Sequence, residues 1–170
     1  MHSSVYRFFA DVSARYPVSP PDRVLECGAL NVNGSIRPLF DACREYIGLD
    51  ERDGPGVDTI ANCHALPFPD GRFDWVVSTS MIEHDPKFWR SMAEMQRVLR
   101  PGGLLAVTAP GFGWPRHDEP IDCYRFSAAS LRLLVPLCDV LECSEANDGD
   151  GPDVRLLARR TAPLGVTMVI

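Results

Sequence analysis

Several absences bound what this 170-residue chain can be. No apolar run is long enough to span a bilayer, and no secretory leader is legible at the start, so a reduced, cytoplasmic protein without membrane association is expected. No run of Lys and Arg breaks a formal net charge of −6, which disfavours nucleic acid as a partner. Arg159-Arg160 stands alone and reads as a solvated pair. The six cysteines (Cys27, Cys43, Cys63, Cys123, Cys138 and Cys143) are scattered without a Cys-x-x-Cys, whereas a zinc site would need a tighter cluster. Cys27 and Cys138, in or beside apolar runs, read as small hydrophobes. Internal repeats and low-complexity tracts are also missing. One domain over 21–160, an amino-terminal helix or lid over 1–20 and a loose tail over 161–170 account for the chain.

What is present is an alternation of strand and helix patterns. Residues 3–16 place Val5, Phe8, Phe9 and Val12 at helical spacing, with Ser3 or Ser4 as N-cap and Pro17 and Pro20-Pro21 as the stop. Strands are expected over 23–27, 46–49 and 57–60, with a short helix over 35–44 after the Asn31–Ser35 turn. Then comes the most regular stretch: a strand over 73–79, a helix over 87–99 and a strand over 104–109. Strand, helix and strand with short connections form a βαβ unit, and such units build parallel sheets that hold ligands at the carboxyl ends of their strands. A loop rich in Gly, Pro, Trp and His follows Pro110. Ser127 should cap a helix through Leu134, and strands over 139–143 and 154–158 close the pattern.

The wording of this central unit is distinctive. Leu66-Pro67-Phe68-Pro69-Asp70-Gly71-Arg72-Phe73-Asp74-Trp75-Val76-Val77-Ser78-Thr79, followed by a helix ending Arg97-Val98-Leu99-Arg100-Pro101-Gly102-Gly103, resembles the middle of the class I S-adenosylmethionine-dependent methyltransferases. The resemblance spans about 24–143 and implies a doubly wound, Rossmann-like α/β sandwich of three layers. About seven strands are expected, mostly parallel with an antiparallel edge. It implies S-adenosylmethionine as cofactor and methyl transfer to a small-molecule acceptor. Binding of the cofactor without transfer, in a regulatory or structural role, remains the alternative. Nicotinamide redox chemistry is disfavoured by the lack of Gly-x-Gly-x-x-Gly.

The resemblance also distributes roles along the chain. Glu26 and Gly28 end the first strand, where a residue without Cβ lets backbone approach a ligand. The family's alternating glycines are replaced by Gly28-Ala29-Leu30-Asn31-Val32-Asn33-Gly34-Ser35, with Ala29 and Asn31 placed to line the cofactor. Asp50, with Glu51 beside it, lies about 20 residues on, where an acid can accept from both ribose hydroxyls. Asn62 stands where the family commonly has Asp and can accept from the adenine amine, with Cys63 and His64 at the adenine edge. Thr79 and Ser80 end the fourth strand beneath the methionine moiety.

For an oxygen or nitrogen acceptor, a general base is needed, and imidazole is the commonest choice near neutral pH. His117, in the loop after the fifth strand, is the first candidate and His84 the second. His84 reads equally as a helix-entry residue. Asp122-Cys123-Tyr124-Arg125-Phe126 resembles an Asp-x-x-Arg-Phe signature on the acceptor side, or else a salt bridge that staples the loop with Phe126 as core anchor. Metal ligation by His117, Asp118 and Glu119 is set aside, since adjacent residues seldom converge on one ion, and no metal is expected. Few insertions are available to close an acceptor pocket, which leaves a partner subunit or a homodimer contact as the candidate to complete it.

Overall fold

The computed structural model describes residues 2–117, 121–147, 149 and 151–166. The chain runs α1 (Ser3–Arg15), β1 (Arg23–Cys27), β2 (Glu45–Asp50), β3 (Thr59–Ile60), β4 (Phe73–Thr79), α2 (Phe88–Val98), β5 (Leu99–Pro110), α3 (Ala128–Leu133), β6 (Cys138–Asn147) and β7 (Pro152–Arg160). Seven strands form one sheet in the order β3-β2-β1-β4-β5-β7-β6. β1 to β5 pair parallel, and β7 runs antiparallel to both β5 and β6. The expected α/β sandwich with a carboxyl-terminal hairpin is present. The reversed strand, β7, lies between β5 and β6, and β6, paired antiparallel to it, forms the expected antiparallel edge.

Alternation along the strands divides the core in two. Val24, Trp75, Val77, Leu104 and Ala106 face α1, where Val5, Phe8, Phe9 and Val12 are buried against them. Leu25, Cys27, Val76, Leu105 and Val107 face α2 and α3. Each large apolar side chain so buried stabilises the fold by about 1.5–3 kcal/mol. The segment expected as a lid is therefore half of the core on its face. Its cap also differs: His2 is the N-cap residue, without a side-chain hydrogen bond, and Ser4 is buried with its hydroxyl on the Asp153 carboxylate.

The helix expected over 35–44 is absent. One 3₁₀ turn, Arg37–Phe40, stands in its place, with Pro38 at its start and the chain turned back to β2 by Arg44 N–H donating to Asp22 O at 2.8 Å. A four-residue turn cannot cover β1 and β2 as a full crossover helix would. A cleft of about 560 Å³ opens there, lined by Asn31, Ser35, Arg37, Phe40, Tyr46 and Gly56.

Two arginines explain why the central wording folds as it does. Arg97, near the end of α2, donates to Leu66 O at 3.0 Å and Phe68 O at 2.9 Å and pairs with Asp70 at 2.8 Å. The loop before β4 is thus stapled to the helix after it, with Leu66 and Phe68 buried beneath. Arg160, expected as solvated, is 1% exposed and donates to the carbonyls of Gln96 and Arg97. Those carbonyls have no partner within the helix, so an interior cation from β7 satisfies them.

Candidate active site

The carboxyl ends of β1 and β2 are built as one unit. Gly28 takes a φ of +80°, and Gly28 and Ala29 donate N–H bonds of 2.9 and 3.0 Å to Leu49 O at the end of β2. Asp50, the next residue, accepts from Leu30 N–H at 3.3 Å and from Arg52 N–H at 3.0 Å. Two of roughly four acceptor positions on its carboxylate are thereby used. Asn31 braces the loop, its Oδ1 accepting from Gly34 N–H three residues on at 2.8 Å, while its own N–H donates to Pro55 O at 2.8 Å.

Glu26 is placed elsewhere. Its side chain lies buried on the α1 face and accepts from the Tyr46 hydroxyl at 2.7 Å. Burial pushes its carboxyl up to about 7, against the Tyr46 bond and the nearby Arg37 charge, which lower it.

The loop after β3 is tied in two directions. The Asn62 amide donates to Glu51, and its Oδ1 accepts from His64 N–H at 2.7 Å. His64 Nε2 meets Asp85 Oδ1 at 2.7 Å, and Asp85 also accepts from Lys87 N–H at 2.8 Å and Ser91 Oγ–H at 2.6 Å. Asp85 thus serves the entry of α2 and anchors His64 to it. The Cys63 side chain is buried in the core beside Cys27. At the end of β4, Thr79 pairs with Thr108 in register, and Ser80 adopts a φ of +46° while donating to Thr108 O at 3.0 Å. Positive φ is sterically costly for serine, so the chain is forced to turn sharply where β4 leaves the sheet.

Beyond this turn the two candidate bases meet. His84 and His117 stack edge to face, with ring centroids 4.9 Å apart and Nε2 to Nε2 at 3.3 Å. His84 Nδ1 contacts Ile121 O at 2.5 Å, and His117 N–H donates to Asp122 Oδ2 at 2.8 Å. Burial holds the His84 imidazole below its ordinary pKa. Asp122 and Arg125 form a buried bidentate pair, with Nη2 to Oδ2 at 2.6 Å, and Arg125 also donates to Trp114 O at 3.2 Å and Pro115 O at 2.9 Å. The guanidinium holds the Asp122 carboxyl well below the usual carboxylate range. Phe126 is buried, with Phe88 at 5.1 Å between ring centroids. The Asp-x-x-Arg-Phe segment is thus a loop staple, and what it holds in place is His117. Asp118 and Glu119 lie outside the described residues.

One residue was missed by sequence reasoning. Glu83, next to His84, is fully buried, and neither carboxylate oxygen has a hydrogen-bond partner among the described residues. Its backbone carbonyl accepts from Cys123 at 2.9 Å and Tyr124 at 3.2 Å, joining the loops after β4 and β5. A Glu-His pair beside a strand end looks like ordinary surface, and nothing in the sequence marks it as interior.

Comparison with known proteins agrees with this architecture. Residues 36–107 match a family model described as a methyltransferase domain. The ubiquinone/menaquinone biosynthesis C-methyltransferase UbiE of Methylobacterium nodulans is 34% identical over 110 residues, 61% of this chain and 43% of that protein. The chain spans less than half the length of this relative. Among solved structures, the 1,6-didemethyltoxoflavin-N1-methyltransferase of Burkholderia thailandensis superposes with a TM-score of 0.74 at 15% identity, covering 93% of this chain and 79% of that one. A methyltransferase in complex with the Trm112 activator of Haloferax volcanii gives 0.71 at 19% identity, covering 93% and 91%. The match to a methyltransferase domain thus covers residues 36–107, and the chain shares the Rossmann-like fold of the solved methyltransferases it superposes on. Among the described residues no helix is long and apolar enough to cross a membrane.

Proposed function

We propose that the chain binds S-adenosylmethionine at the ends of β1 to β4 and transfers its methyl group to a small-molecule acceptor. The observation that carries this reading is the joined unit of the Gly28 loop and Asp50. An acid whose carboxylate bonds the backbone of the glycine loop, with acceptor capacity left over, fits a ribose diol beside that loop. The bound cofactor supplies an activated methyl on a sulfonium, so the protein's work is alignment and exclusion of water.

Gly28, Ala29 and Asn31 line the methionine end in this reading, and Thr79 and Ser80 lie beneath it. Asp50, seconded by Glu51, holds the ribose. Asn62 presents its carbonyl to the adenine amine, with the backbone of Cys63 and His64 alongside. His117 takes the proton from an oxygen or nitrogen acceptor as the new bond to the methyl carbon forms. His84, whose pKa burial lowers, orients the His117 ring through the Nε2 contact. Glu26, held by Tyr46, stiffens the end of β1.

A carbon acceptor is the second reading, favoured by the quinone C-methyltransferase name of the relative. A partner subunit or a second copy completes the acceptor pocket, and the six free cysteines suit a reducing, cytoplasmic setting. Calorimetry with S-adenosylhomocysteine and with NAD, followed by turnover against a panel of acceptors, tests the proposal. Binding of S-adenosylhomocysteine alone, with methylated product, is expected. Preference for NAD would overturn it, and tight cofactor binding without any turnover would favour the regulatory alternative.

A further inference from the structure

We propose that Glu83, His84 and His117 form a binding site for a divalent transition-metal ion of the zinc class. The three side chains converge from two loops 33 positions apart in sequence, with one ligand atom of each within 4.8 Å of the others. The Nε2 atoms of the two histidines face each other at 3.3 Å, and Glu83 Oε1 lies 3.6 Å from His84 Nε2. Two nitrogens bound to a tetrahedral zinc at its usual bond length lie about 3.3 Å apart, so the pair already has the edge length of such a site.

The surroundings prepare both rings as ligands. His84 Nδ1 is occupied by the Ile121 carbonyl at 2.5 Å, and His117 Nδ1 meets the Pro115 carbonyl at 3.5 Å, with the Asp122 carboxylate 3.6 Å away. A proton held on Nδ1 by an oxygen leaves the Nε2 lone pair for an ion, the arrangement that orients metal-binding histidines generally. The Asp122–Arg125 staple in turn fixes Asp122.

Glu83 is the independent observation. A fully buried carboxylate with no hydrogen bond to either oxygen among the described residues is costly, and a cation at its edge is the ordinary remedy. Two nitrogens and an oxygen suit zinc or cobalt and are poor ligands for magnesium or calcium, which want more oxygens. Three protein ligands leave a fourth position open on the side of His117, the most exposed of the three.

The proposal concerns ion binding and stands apart from the methyl-transfer reading. The test uses the full chain, stripped with a chelator and titrated with Co²⁺, then Zn²⁺. One equivalent of Co²⁺ should bind with the intense visible absorption of a tetrahedral ion, and Zn²⁺ should displace it. His117→Ala and Glu83→Gln should each weaken Co²⁺ binding at least tenfold, while His64→Ala and Cys123→Ser bind like the parent. His117→Ala decides the matter should Glu83→Gln fail to fold, because His117 is a surface loop residue. Absence of uptake, unchanged affinity in His117→Ala, or loss in Cys123→Ser would overturn the site. S-adenosylhomocysteine affinity of the stripped protein, measured in parallel, reports on the cofactor site separately.

Discussion

Gly28 lies beneath Met81, so close that a β-carbon on the glycine would stand 2.6 Å from Met81 Cγ and 2.7 Å from Met81 Cβ. The loop after β1 and the turn after β4 are therefore packed as one piece, on the floor of the proposed cofactor site. Gly28→Ala adds a clash that a fixed Cβ cannot swing away from, on top of a φ of +80°. A loss of about 2–4 kcal/mol is expected from overpacking and left-handed strain together. Urea unfolding checks it, and Gly28→Ala with Met81→Ala should recover only part of the packing share, because alanine keeps the β-carbon that stands 2.7 Å away.

Asp50→Ala should weaken S-adenosylmethionine binding by about 1.5–3 kcal/mol, since a charged acceptor of two hydroxyl hydrogen bonds is removed. Leu30 N–H also loses its partner, so a drop in melting temperature accompanies the loss. Asp50→Asn separates the two effects: it keeps an acceptor for Leu30 and should restore stability more fully than affinity. A cofactor dissociation constant unmoved by Asp50→Ala would end the ribose assignment.

Asn62→Asp looks like a return to the commoner family residue, yet the fold sets it against Glu51. The Asn62 amide that now donates to Glu51 would become a second carboxylate at the same contact. Cofactor affinity in Asn62→Asp should fall at pH 8 and recover toward pH 5, as one carboxylate takes a proton and the hydrogen bond returns. Affinity equal to the parent at both pH values would place Asn62 away from Glu51 in solution.

His117→Ala should leave S-adenosylmethionine affinity nearly unchanged and reduce turnover by about 10²–10⁴, the usual span for a lost general base. Because burial lowers the pKa of His84, a rate that depends on this neutral imidazole should hold to lower pH than the ordinary value of about 6.5 allows. A base acting without an ion keeps its activity after chelation, whereas an ion-assisted step loses it. Turnover undiminished in both His117→Ala and His84→Ala would exclude the pair from the chemistry.

Glu83 gives the metal-free protein a pH-dependent stability. Burial raises its carboxyl to about 8, opposed by Arg125, with Asp122 and Asp153 adding to the rise. Between the unfolded value of about 4.3 and the raised native one, the native state binds more protons than the unfolded state. Stability should therefore fall as pH climbs from about 5 to 8, on the order of a few kcal/mol. Glu26, raised to about 7, contributes in the same direction. Glu83→Gln should flatten much of the slope in thermal denaturation at successive pH values; a slope identical to the parent would mean that Glu83 is hydrated or paired in solution.

Local patterns were enough to read the strands 23–27 and 73–79, the helix after them and the Ser127 cap, because alternation, helical spacing and a capping hydroxyl act over a few residues. The positions of Asp50 at the end of β2 and of Gly28 at the turn after β1 were legible for the same reason: each is set by its own strand terminus. The missing helix after β1 was not, since Arg37–Phe40 has helical composition and only its connection back to β2 cuts it short. Arg160 looked solvated because its partners, the last carbonyls of α2, come from a strand and a helix more than sixty residues apart. The histidine pair was foreseen as two separate candidates, but its Nε2 contact and the buried Glu83 behind it exist only where the loops after β4 and β5 close on each other. Chain-local chemistry determined the class of fold and which residues stand at the strand ends; which polar groups meet, and which are buried without a hydrogen bond among the described residues, was decided by contacts that only the folded sheet brings within reach.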